Sequence, residues 1–139
     1  MSEIFAPFFE WGSLFVEPYS NDLFDGTGYT YLGLIMLLSS LMVMLVFYYL
    51  WNPIFGRWYH WGLMLAVSAV VAFGASYGVL NEELIKYLYN QDYPDVEFFI
   101  FTISGMAAFY TLVSSFILSF IVRIGSSNNK ANPFPLKLR

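Results

Sequence analysis

The chain has 139 residues, of which 58% are hydrophobic, 22% aromatic and only 12% charged, with a formal net charge of −4. A soluble domain carries about 25% charged residues to cover its wet surface, so this chain cannot enclose its apolar side chains in water. The composition excludes a disordered segment or coiled coil, and an acidic balance without a basic stripe excludes nucleic-acid binding. With no cysteine there is no disulfide, thiolate metal site or thiol nucleophile.

In chain order, residues 1–28 form a first segment, MSEIFAPFFEWGSLF onward, rich in Phe5, Phe8, Phe9 and Trp11. It has no basic n-region and holds Glu3 and Glu10, so it does not read as a cleavable signal. Its aromatics suit either a short helix in the outer membrane interface or a surface that docks on a partner protein.

Residues 29–124 read as a membrane bundle. Charge-free stretches predict spans at about 30–51, 58–80 and 98–122. Each reaches the length of about 20 residues that a hydrocarbon core of about 30 Å requires. Runs such as LIMLL and LAVSAVVAF are apolar on every side, so the spans are helices rather than barrel strands. Tyr29, Tyr31, Tyr48, Tyr49, Trp51, Trp58, Tyr59 and Trp61 gather at the predicted ends of spans one and two, where amphipathic rings sit at headgroup depth; Tyr77 and Tyr110 break that pattern. Pro53 and Gly56 predict a tight hairpin between spans one and two. After span two, Asn81 is expected to cap a short separate helix with a Glu82–Lys86 pair, followed by a turn at Asp92, Pro94 and Asp95.

Charge predicts orientation. All ten acids fall in the N-terminal segment or the second loop, and every base except Lys86 lies in the first loop or the C-terminal tail. The positive-inside rule places the N-terminus outside and the C-terminus in the cytoplasm of an inner (cytoplasmic) membrane. The predicted fold is thus an all-α integral membrane protein with three transmembrane helices, N-out and C-in, and a short interfacial N-terminal helix.

The chemical inventory is sparse. The one histidine, His60, lacks convergent donors for a metal site. No span contains an ionisable side chain in its interior, which argues against a proton relay or ion path. No catalytic residue, metal or cofactor is assigned. A cofactor-subunit reading would rest on His60 alone.

Small residues at helical spacing stand out instead. Span two carries Gly62, Ala66, Gly74 and Gly78; span three carries Ser104, Ala107, Thr111, Ser115 and Ser119. Such residues let helices approach closely where lipid gives no hydrophobic drive. They serve either packing of spans two and three on each other or packing on another subunit. Span one, rich in Leu and Met, reads as more lipid-facing. In the cytoplasmic tail, residues 125–139, Phe134, Leu136 and Leu138 suit docking on a partner in extended form.

These features lead to an expected function: a non-catalytic membrane subunit that anchors or scaffolds a larger envelope assembly, such as a secretion, injection or respiratory-type complex. The expected partners are other subunits of that complex, the bilayer and copies of the chain itself. The alternative is an oligomeric pore or lesion former, because three spans, N-out, C-in and a basic tail resemble the topology of class I phage holins.

Overall fold

The computed structural model describes residues 1–17, 19–51, 58–88 and 96–125. Among them there is no strand. Two short helices, α1 (Ser2–Phe9) and α2 (Tyr19–Asp25), flank a single 3-10 turn at Gly12–Leu14. Three long helices follow: α3 (Gly28–Leu45), widening into a π-helical end at Val46–Trp51, then α4 (Trp58–Leu88) and α5 (Val96–Gly125). The stretches Gly28–Leu50, Tyr59–Leu84 and Val96–Val122 are each long and apolar enough to cross a membrane. The chain therefore reads as a multi-pass membrane protein.

Two details depart from the sequence reading. The helix of span two runs unbroken through Asn81 to Leu88, so Asn81 begins no separate helix. The backbone of a polar Asn-Glu-Glu stretch can stay helical where an apolar helix emerges from its neighbours, because propensity is a weak prior there. Span one is also not the lipid-facing helix. A third of its apolar window is buried (33%) against 22% for each of the other two. It touches both α4 and α5, and α1 and α2 fold back onto it. The hairpin residues Pro53 and Gly56 and the turn at Asp92, Pro94 and Asp95 lie outside the described residues.

The interior is layered. One apolar cluster gathers Phe9, Leu23, Tyr29, Leu32, Leu80, Leu84, Ile100 and Ile103 at the end of the bundle that carries the N-terminal segment. A second, Met44, Phe47 and Tyr48 with Trp61, Leu65 and Leu118 against them, fills the other end. Between them in all three helices lies a hydroxyl layer. Ser40 of α3 and Ser114 of α5 share a hydrogen bond of 2.6 Å, and Ser68 of α4 and Ser115 share one of 3.0 Å. Two consecutive serines of α5 thus reach two different helices, because successive positions point about 100° apart around a helix. Three of the four hydroxyls also bond a carbonyl of their own helix: Ser40 to Met36 (2.7 Å), Ser68 to Leu65 (2.7 Å) and Ser114 to Thr111 (3.1 Å).

Ser76 and Ser104 are buried too, yet their hydroxyls have no hydrogen-bond partner among the described residues. This contrast yields a prediction. Ser104→Ala leaves stability in mild detergent unchanged or raises it, because it removes a desolvated and unrewarded hydroxyl. Ser115→Ala lowers stability by about 0.6 kcal/mol, the average for interhelical hydrogen bonds in membrane proteins. Chemical denaturation of the two variants side by side checks the sign difference.

Candidate functional site

The small residues marked by the sequence divide between two surfaces. Ser104, Ala107, Thr111, Ser115 and Ser119 of α5 are all buried, forming one inward stripe with Ile100 and Ile103. On α4 the matching inward stripe is Ser68, Ala72, Ser76, Leu80 and Leu84, spaced four apart. These two stripes let α4 and α5 pack closely. Ala66, Gly74 and Gly78 lie elsewhere on α4, exposed on the outer face, and Gly62 is half-buried. A Cβ atom added at Gly62, Gly74 or Gly78 would meet nothing within 4 Å. Val70, at the centre of this outer line, is 70% exposed. Packing among the described residues does not require glycine at those places.

The N-terminal aromatics also divide. Phe9 is fully buried, stacked on Tyr29 (ring centroids 6.0 Å apart) and edge-on to Tyr110 (5.6 Å). The Phe5 ring occupies the space that a side chain at residue 33 would need, so Gly33 is what admits α1 onto α3. Ser2 Oγ and Thr30 Oγ1 lie 3.2 Å apart and join the start of α1 to α3. Phe8 and Trp11 remain largely exposed, at 48% and 61%. Gly12, at φ 65°, makes the backbone reversal into the 3-10 turn, a conformation L-residues rarely adopt.

The latch of this arrangement is Tyr110. Its hydroxyl donates to the Phe8 carbonyl (2.7 Å) and accepts from Trp11 Nε1 (2.8 Å). The sequence reading did not select Tyr110 as a site residue. The signal was present: a tyrosine in mid-span, away from the aromatic belts, needs a partner for its hydroxyl. Here the partner is the docked N-terminal segment. Tyr110→Phe removes both bonds and leaves the Phe8 carbonyl and the indole N–H without it. The expected result is looser docking, by about 1 kcal/mol, seen as a change in Trp11 emission with little change in global unfolding.

Beside the 3-10 turn lies an open groove in two joined hollows that share Ser13 and Leu14. One, of about 290 Å³, reaches Val16, Tyr19, Phe98 and Thr102; the other, of about 350 Å³, reaches Trp11 and Met106.

No three His, Asp or Glu side chains converge among the described residues. His60 lies beside Tyr59, ring centroids 4.2 Å apart. Phe134, Leu136 and Leu138 lie outside the described residues. Comparison of the chain with known protein families, curated proteins and solved structures returns no match.

Proposed function

We propose that this chain is a non-catalytic membrane subunit that anchors or scaffolds a larger assembly, sitting in the cytoplasmic membrane with its N-terminus outside. The observation that carries this reading is the outward line of Gly62, Ala66, Gly74 and Gly78. Glycine in a helix interior costs roughly 1 kcal/mol relative to alanine in water, and among the described residues nothing uses the space beside Gly62, Gly74 and Gly78. Close approach of a helix from another subunit would use it. The exposed Phe8 and Trp11, bonded to Tyr110 at the middle of the third span, offer a second contact, and only the start of the short N-terminal helix, where Ser2 meets Thr30, would lie near the outer interface.

An oligomeric pore draws no support from the placement of hydroxyls. Those of Ser68, Thr111 and Ser115 are buried and hydrogen-bonded inside the bundle rather than available as a lining.

The test is affinity purification from native membranes in mild detergent. Wild-type protein is expected to bring down a discrete membrane partner, and the double variant Gly74→Ile, Gly78→Ile to lose it. A wild-type protein that runs as a monomer with no companion would sink the reading. Cysteine scanning with an impermeant maleimide checks orientation, since the chain has no native cysteine: Ser2→Cys is expected to label from outside.

A further inference from the structure

We infer that the backbone turn at Trp11, Gly12 and Ser13 is covered by a membrane helix of a different subunit, one that brings the side chain of a Ser, Thr, Asn or Gln to it as a hydrogen-bond acceptor. The turn lies below the membrane surface. Phe5 sits on Gly33, Trp11 is bonded to Tyr110 (2.8 Å), and Met106 lines the hollow beside the turn. Gly33 is five residues inside the apolar stretch Gly28–Leu50, and Met106 is ten inside Val96–Val122. At 1.5 Å per residue, the chain descends from about 8 Å at Phe5 to about 15 Å at the turn, measured from the starts of those stretches. The hydrocarbon core is about 30 Å thick. Backbone at such a depth needs partners. The N–H of Glu10 reaches the Ala6 carbonyl, and that of Leu14 reaches the Trp11 carbonyl. Between them, the N–H groups of Trp11, Gly12 and Ser13 have no hydrogen-bond partner among the described residues. The reversal at Gly12 (φ 65°) takes them out of helical register, and all three residues are exposed.

Three kinds of neighbour exist at this depth. Hydrocarbon suits the apolar side chains of the turn and its flank, Trp11, Phe15 and Val16, which are all exposed. It leaves the three N–H groups unpaired, and irregular backbone facing lipid is not tolerated. Water pairs the N–H groups but wets those same side chains, which is unfavourable. A protein surface satisfies both at once. A transmembrane helix has already paired its own backbone, so the acceptor it brings is a side-chain hydroxyl or amide oxygen. A second copy of this chain is a poor source. The Ser and Thr hydroxyls of its three long helices are buried or bonded within the chain, as with Ser39 on the Ile35 carbonyl and Thr102 on the Phe98 carbonyl. Asn81 is three residues from the end of its apolar stretch, short of this depth. A different subunit therefore supplies the acceptor.

This inference rests on the reading of the chain as a membrane subunit, and it adds a contact separate from the outer line of α4. Hydrogen exchange over residues 10–16 tests it without any variant, because backbone amides are the groups concerned. The full chain is compared in native membranes and, after purification, alone in phosphatidylcholine nanodiscs. Alone, the turn is left to water. Exchange at Trp11, Gly12 and Ser13 is expected to be at least about tenfold slower in native membranes, with α3 and α5 unchanged. Benzoylphenylalanine incorporated at Phe15 identifies the neighbour. In native membranes it is expected to cross-link to a membrane helix of another protein, within one turn of a Ser, Thr, Asn or Gln. Fast exchange in both preparations means that water covers the turn, and slow exchange in both means that lipid does. Either result overturns the inference, as does cross-linking to a second copy or to a helix without such a side chain. A protein that brings down a partner through α4 yet exchanges fast at the turn overturns this inference alone. A protein with no companion overturns it together with the anchoring reading.

Discussion

Ser115→Leu is expected to destabilise the bundle by about 1–3 kcal/mol, the usual cost of forcing extra methylenes into a packed site, while Gly78→Leu leaves stability unchanged or raises it, by up to about 1 kcal/mol. Both positions belong to small-residue series, and sequence spacing does not tell them apart. Ser115 is fully buried, bonded to Ser68, in the seam where α4 meets α5. Leucine there must push the helices apart and also removes the bond between Ser68 and α5, leaving Ser68 only its own Leu65 carbonyl. Gly78 faces outward, with free space where a Cβ would stand. Chemical denaturation in mild detergent reads the difference directly. Equal destabilisation by the two variants would mean that the outer line of α4 is part of the fold and is not free to meet a partner. The same pair separates folding from association, because Gly78→Leu should lose co-purifying protein while retaining its stability.

Gly33→Leu is expected to release α1 from the bundle without unfolding the three long helices. The Phe5 ring stands where the new side chain must go, and the ring cannot retreat while Phe9 is pinned between Tyr29 and Tyr110. Either the α3 backbone moves or α1 leaves. α1 is the weaker element: eight residues long, with Pro7 inside it and no side-chain cap at its start. A helix of that length is marginal alone and depends on tertiary packing. Ala6→Cys provides the reporter, since Ala6 is 3% exposed and the chain has no other thiol. Maleimide should react slowly with Ala6→Cys alone and at least tenfold faster when Gly33→Leu is added, a ratio that corresponds to about 1.4 kcal/mol of lost docking. Equal rates in the two proteins would show that Phe5 does not need Gly33.

Membrane residence and three long helices were legible from the sequence because they follow from one-dimensional quantities. The run of residues between charges is set against the bilayer thickness, and a backbone in lipid must satisfy its own hydrogen bonds. The residues able to mediate close packing were legible for the same reason, since small size is a property of the residue type. Which way each one faces was not. Ser68 and Gly74 are both small residues of one helix, yet one is buried and the other exposed. With lipid as apolar as the bundle interior, the only polarity that marks the inner face is that of its serines and threonines, and a glycine carries no such mark. Only the packing of α3, α4 and α5 decided that. The same holds for the N-terminal segment. Its aromatic content by itself indicated an apolar surface seeking contact. That Phe5 and Phe9 find it on Gly33, Tyr29 and Tyr110 of the same chain, leaving Phe8 and Trp11 exposed, depends on residues as much as 102 positions apart in sequence, a separation that no local pattern spans.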